Sequence, residues 1–440
     1  MSESELSATE VELARKYDLT PKLTAFLDRH LIYPLIMALD LIYDENTVTQ
    51  LSYDLLKDTY MVKFEKSKFS NLYPGKEFPK ELLEKEEFVQ KELVRLDEKT
   101  KETLNVLAQQ SVQEHLKQDK EYNRQFLEKE HGITEEKVLE LYEFGQLQYN
   151  RGDYMMASDL LNNFRVLSTN SDLNISATWG RLASEIISLE WDTALEELVK
   201  LRELIDSRSF SDPLTQLHHR TWVIHWSLFP YFNIENGLEQ LSDLFFSSTY
   251  LSTIQASCPW ILRYLVAAVV STSPKHHSSF EFQKRLRDLI RVVSQEQYEY
   301  QDPLTEFIRA LYVDFDFEAA IAKLTEVEVV IKADFFLSNG AGQFLESARH
   351  LIFGVYCRVH EKMDLQQLSA SLNLSKDEGE KWIANLIRDT KMDAKINESE
   401  GTVIMNHPAN SVYQQVIKKT KGLSFRSNQI LMAALQKESS

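Results

Sequence analysis

The sequence predicts a mainly α-helical protein, in which a stack of helical repeats leads into a winged helix and is followed by one terminal helix. Three observations carry that expectation. Only 12 glycines and 10 prolines occur in 440 residues, below the usual shares of about 7% and 5%, so helix-favouring residues dominate. The spacing aromatic-x-x-Ala-x-x-x-Leu recurs at Tyr154, Ala157 and Leu161, at Trp191, Ala194 and Leu198, and at Phe317, Ala320 and Leu324. From Ala348 to Asn406, three apolar patterns of 3.6-residue period give way to strict alternation.

Residues 1–130 are expected to form an N-terminal helical region. The first 16 are acidic and are expected to fray. Asp18 is placed to cap a helix carrying Leu19, Leu23, Phe26 and Leu27, and Pro34 predicts a break that makes a helical hairpin. Leu51–Phe64 and Phe69–Tyr73 supply a further apolar segment, closed by the turn signal Pro74-Gly75. A charged helix is predicted from Pro79 to about Lys117. Its seam of Val89, Leu93, Leu96, Thr100, Thr103 and Leu107 alternates steps of four and three, a width suited to one neighbouring helix.

Residues 131–345 contain the recurring spacing. An aromatic can wedge against the preceding helix while the alanine admits close approach, which is what stacked helical hairpins require. Ordinary core helices also fit three degenerate copies. Asp153, Asp192 and Asp316 stand beside the three aromatics. Trp222–Phe232 and Trp260–Val270 are apolar enough to be buried inner helices, and Ser271–Ser279, with Pro274, reads as an exposed loop.

Residues 346–408 read as the winged helix. Leu351, Ile352, Val355 and Val359 share one helical face; Asp364, with Gln367, is placed to cap a second helix carrying Leu365, Leu368 and Leu372. Ser375 and Glu378 have capping-box spacing ahead of a third helix with the stripe Trp382, Ile383, Leu386 and Ile387. Met392, Ala394 and Ile396, then Val403 and Met405 after a turn at Glu398–Gly401, predict a two-stranded ribbon. Ile396 and Val403 should face the core and Lys395 a partner. In the third helix Lys376, Lys381, Arg388 and Lys391 are matched by Asp377, Glu378, Glu380 and Asp389. A neutral helix is a poor phosphate-binding surface, so the module is expected to face protein rather than DNA.

Composition agrees. A net charge of −18 and a pI near 5.2 oppose general binding to nucleic acid or to an anionic membrane, leaving at most peripheral RNA contact. The N-terminus lacks a signal-peptide pattern, and Ile261–Val270, interrupted by Arg263, is short of a membrane span. Two cysteines, Cys258 and Cys357, are too few for a disulfide framework and imply a reducing compartment. His218-His219 and His276-His277 lack ligand spacing, Gly340-Ala341-Gly342 is no phosphate loop, and no G-x-S-x-G elbow occurs. Asp314 and Asp316 read as structural. No catalytic residue, cofactor or metal is expected.

Residues 409–440 form a tail whose apolar series Val412, Val416, Ile430, Leu431 and Leu435 is too sparse to fold alone but adequate for one helix of a bundle. Its lysines and Arg426 make it locally basic.

Repeats running into a winged helix with the strand Met392-Asp393-Ala394-Lys395-Ile396 resemble the PCI domain of the proteasome lid, the signalosome and translation initiation factor 3. Tyr17-Asp18-Leu19-Thr20, Phe26-Leu27-Asp28-Arg29-His30-Leu31, Thr221-Trp222-Val223-Ile224-His225-Trp226-Ser227-Leu228-Phe229, Asp302-Pro303-Leu304-Thr305-Glu306-Phe307 and Leu423-Ser424-Phe425-Arg426-Ser427 narrow the resemblance to the family of e subunits of eukaryotic translation initiation factor 3. The resemblance implies a right-handed solenoid within a PCI domain over 131–408. It also implies a non-enzymatic, cytoplasmic scaffold, with a nuclear pool compatible. The winged helix would join neighbouring PCI subunits, and the terminal helix would enter a bundle. The N-terminal region would hold the cap-contacting subunit, which gives subunits c, d and l as partners together with the small ribosomal subunit. A signalosome or proteasome-lid subunit is the alternative.

Overall fold

The computed structural model describes residues 7–115, 120–208, 212–276, 280–360, 362–364, 394–397, 402–405 and 412–438, together with separate positions between 379 and 388. Two compact units emerge, Met1–Ala348 and Arg349–Ser440.

In the first unit the acidic start is a helix rather than a frayed end. Ser7 and Glu10 form a capping box over α1 (Ala8–Lys16), and α1 packs on a late helix, α19 (Phe317–Ala333). Reciprocal capping satisfies orphan N–H groups, and this outweighs the charge of the segment. Asp18 accepts from the Thr20 N–H at 2.9 Å ahead of the short α2 (Thr20–Leu23). Pro34 does not divide the hairpin. It lies inside α3 (Arg29–Met37), whose start is set by Asp28 accepting from the His30 N–H. Burial of Leu31, Ile32, Leu35 and Ile36 on α3 offsets the hydrogen bond that proline removes. Then come α4 (Glu45–Leu56), α5 (Val62–Leu72) and the long α6 (Lys80–Leu107). The seam of α6 is buried at Val89, Leu96, Thr100, Thr103 and Leu107 and half-buried at Leu93. It faces α9 (Glu135–Arg151). The charged run ends at Leu107, short of the expected Lys117, and α7 (Gln110–His115) and α8 (Lys120–His131) follow.

From α9 the helices stack in sequence: α10 (Tyr154–Leu167), α11 (Ser171–Ile187), α12 (Trp191–Ser207), α13 (Pro213–Asn233) and α14 (Gly237–Phe246) each pack on the helix before. Beyond α15 (Ser248–Ser257), α16 (Leu262–His276) packs on α14 and on α17 (Phe280–Gln295), and α18 (Pro303–Arg309) on α16, α17 and α19. Nearest-neighbour packing of this kind defines a helical-repeat architecture. Ala157, Ala194 and Ala320 are fully buried, Leu161, Leu198 and Leu324 are buried, and Tyr154, Trp191 and Phe317 are half-buried at the starts of α10, α12 and α19. Leu161 sits between two helices at glycines: a Cβ at Gly145 or at Gly180 would stand 2.9 or 2.8 Å from its methyl groups.

The three copies also share a turn that the spacing concealed. Gly152, Leu189 and Phe315 all have positive φ (92°, 64° and 53°), and the acidic residues Asp153, Glu190 and Asp316 follow them as N-caps of α10, α12 and α19. The Asp153 and Glu190 N–H groups close back on Gln148 and Glu185 carbonyls at 2.9 and 3.0 Å, five residues earlier, as in a Schellman turn. The third turn closes six back, from Asp316 to Ala310, because α18 ends in a π-turn over Ala310–Asp314. The matching acidic residue of the second copy is therefore Glu190, not Asp192. Leu189 is 65% exposed, so its side chain contributes little packing while its backbone bears left-handed strain. Leu189→Gly is expected to raise the unfolding free energy by about 0.5–1 kcal/mol, read as a higher urea midpoint; an unchanged midpoint would mean that the turn is unstrained.

Ser271–His276 belong to α16 instead of a loop, with Ser271 and Ser273 buried. The helix continues because these small side chains can be buried on more than one side of it, and Pro274 comes only in the last turn.

In the second unit, α20 (Ala341–Val359), which begins in the first, leads to a three-stranded antiparallel sheet in place of the two-stranded ribbon. The order is β1 (Lys362–Asp364), β3 (Thr402–Met405), β2 (Ala394–Asn397). Asp364 ends β1, opposite Thr402, rather than capping a helix. The second predicted helix, the Ser375–Glu378 box, Trp382 and Leu386 lie outside the described residues. Ile383 is buried in helical backbone. Val403 is fully buried, but Ile396, paired with it across the sheet, is 39% exposed. Both point to one face, as opposed residues must, yet cover differs along that face: the central Val403 and Met363 on edge strand β1 are buried, and Ile396 on the other edge strand, β2, is not.

Candidate interaction surfaces

A scaffold surface needs a rigid frame, and the frame here is a set of buried polar ties. Arg263 is 2% exposed; its Nη2 lies 2.6 Å from Asp302 Oδ1 and donates to the Tyr17 carbonyl at 2.6 Å, and its Nη1 lies 3.2 Å from Asp334 Oδ2. Burial opposes the charge on the guanidinium, but the two carboxylates more than reverse this and hold its pKa above the ordinary value. Burial pushes the Asp334 carboxyl up despite Arg263, and the Tyr264 hydroxyl donates to that carboxylate at 3.1 Å. The Trp226 indole N–H donates to the Phe26 carbonyl at 3.0 Å. His225 donates through Nδ1 to the Thr221 carbonyl and accepts at Nε2 from Trp260, with burial pulling its pKa down to about 4. Tyr149 donates to Asp28, and Tyr154 meets His30 at 2.9 Å. Burial, then the Asp28 charge, pushes Tyr154 up to about 12. These groups bind the N-terminal segment to the repeats.

Groups of catalytic type are occupied structurally. Asp316 accepts from the Ala319 N–H and Asp314 pairs with Arg309. Burial pushes the thiols of Cys258 and Cys357 up to about 12, away from thiolate chemistry. Among the described residues no cluster of three His, Cys, Asp or Glu side chains is arranged to hold a metal, and no single helix is long and apolar enough to cross a membrane.

Two surfaces stand open in the second unit. On the sheet, the row opposite the core reads Lys362, Ile404, Lys395 across the three strands, with Lys395 exposed on edge strand β2. The other is α21 (Val412–Glu438), 27 residues and hence about 40 Å long. Val416, Leu423, Ile430 and Leu431 are more than half exposed, and so are Tyr413, Ile417 and Phe425. Val416, Thr420, Leu423, Ser427 and Ile430 follow steps of four and three, a stripe of coiled-coil width. The side chains of Val412 and Leu435 lie outside the described residues. Tyr413, Ile417 and Phe425 were not among the apolar positions picked out in the sequence; the heptad spacing makes Tyr413 a further member of the stripe and places Ile417 beside it and Phe425 on the opposite face.

Helical repeats that run into a winged-helix sheet and a terminal helix define a PCI-class protein. The PCI domain model matches residues 324–407. The eIF3 subunit 6 N terminal domain model matches 18–148, and the C-terminal model of the eukaryotic translation initiation factor 3 E subunit matches 411–432. Proteins named as the E subunit of eukaryotic translation initiation factor 3 are similar over nearly the whole length. That of Yarrowia lipolytica is 55% identical over 94% of this chain and 98% of its own, and that of Aspergillus clavatus 50% over 95% and 93%. The chain belongs to the E-subunit family of eukaryotic translation initiation factor 3.

Proposed function

We propose that this chain is a non-enzymatic scaffold subunit of eukaryotic translation initiation factor 3, supporting mRNA recruitment to the small ribosomal subunit in the cytoplasm. The observation that carries the reading is α21, whose apolar stripe faces solvent along Val416–Leu431. A helix that leaves this much apolar surface wet is stabilised by partner helices. Family membership favours factor 3 over the signalosome or the proteasome lid. Within the complex, residues 1–130 recruit one subunit, d; the repeats over 131–345 act as the frame; the sheet edge of 346–408, with Lys395, meets subunits c and l; and 409–440 joins the bundle through Val412, Val416, Ile430, Leu431 and Leu435.

Deleting residues 411–440 tests this. Burial of a bundle stripe contributes at about 25 cal/mol per Å², and the first unit does not depend on it. The truncated protein should remain folded and keep its N-terminal partner. On a density gradient it should move with that partner to lighter fractions, away from the small ribosomal subunit. Unchanged co-sedimentation at moderate salt would remove the tail from the docking machinery, and a full-length protein that never co-sediments there would overturn the translation reading.

A further inference from the structure

In a chain of net charge −18, the outer face of α17 has the opposite character. Phe282, Leu286, Leu289, Val292 and Val293 are buried. Opposite them, Phe280, Lys284, Arg287 and Arg291 recur at steps of four, three and four, and all are exposed. At about 100° per residue these four side chains fall within one narrow arc, and Lys284 to Arg291 spans about 10 Å along the axis. Arg285, off the stripe, pairs with Asp243, and on the stripe Arg291, 61% exposed, shares Asp288 at 3.2 Å. Glu281 is at one margin. Among the described residues neither Lys284 nor Arg287 has a carboxylate at ion-pair distance; Arg287 spends its Nε on the Gln283 carbonyl and keeps its other donors outward.

We propose that this face of α17 binds single-stranded RNA, with Lys284, Arg287 and Arg291 on the phosphate backbone and Phe280 stacked on a base. Phe280 decides between RNA and an acidic peptide. It is 77% exposed and in line with the cations, and a peptide's carboxylates would occupy the cations while leaving the ring wet. A base covers a ring without regard to sequence, and the phosphates supply the counterion-release term that opposes the chain's overall repulsion. The surface belongs to the first unit, whereas α21 and the sheet belong to the second, so it does not rest on the scaffold reading.

The test uses the full-length chain and a fluorescein-labelled poly(U) RNA of about 20 nucleotides, followed by anisotropy from about 50 to 200 mM KCl. The wild-type association constant should fall with salt with a log–log slope of about −2, as expected for three phosphate contacts on a single strand. Substitution K284E/R287E/R291E should weaken binding at least tenfold and flatten the slope. F280A should weaken it about tenfold and leave the slope unchanged. These positions are exposed, so circular dichroism should show intact helices; K284A/R287A/R291A repeats the test without charge reversal. Wild-type affinity in both cation variants, no binding by wild type at the lowest salt, or equal competition by poly-glutamate of the same charge would each overturn the proposal.

Discussion

Replacing Arg263 with methionine should cost the first unit about 3–5 kcal/mol, the range for removing one partner of a buried ion pair. Methionine fills most of the volume, so packing is not the main loss. What is lost is the countercharge between Asp302 and Asp334, both nearly inaccessible, and the donor to the Tyr17 carbonyl. Asp302 also accepts from the Leu304 N–H at the start of α18, so it cannot turn away without uncapping that helix. The expected result is a markedly lower denaturation midpoint, with early proteolysis ahead of α4 as the Tyr17 tie is released. Adding Asp334→Asn to Arg263→Met should recover part of the loss, because one of the stranded carboxylates is then neutral. If Arg263→Met alone unfolds at the wild-type midpoint, the network is not what secures the N-terminal segment.

That network shows where sequence reading stops. Arg263 and Tyr17 are 246 positions apart, and nothing local to either announces the other; Arg263 looked only like an interruption in an apolar run. The repeat spacing was legible because Ala157, Ala194 and Ala320 answer a constraint that recurs at each helix crossing. The turns between the repeats were less so. Gly152 signals a left-handed backbone, but Leu189 and Phe315 occupy the same conformation at a strain cost that leaves no compositional trace. Ser7 and Glu10 did carry a local signal, the capping-box spacing, which the acidic character of the segment masked. The strand β1 carried none: three residues are too few to establish a period.

The same limit explains Ile396, and it makes the sharpest contrast available in the second unit. Alternation says which residues share a face of a sheet, and it placed Ile396 with Val403, as the register does; the register adds Met363. It does not say how deeply each strand is covered. Val403 is on the central strand and fully buried; of the two edge strands, β1 buries Met363, 3.9 Å from the Cys357 sulfur, whereas β2 leaves Ile396 39% exposed. A carboxylate at the fully buried Val403 position is shut off from water, so it must either distort the core or take up a proton. Val403→Asp is therefore expected to cost about 3–5 kcal/mol and to unfold the sheet. A carboxylate at Ile396 can turn outward at the rim and stay hydrated, so Ile396→Asp should cost about 1 kcal/mol, a surface-scale effect. Hydrogen exchange of the β3 amides in the two variants reads the difference directly. Loss of protection in Val403→Asp with retention in Ile396→Asp is the expected pattern, and equal loss in both would mean that β2 is buried in solution as deeply as β3.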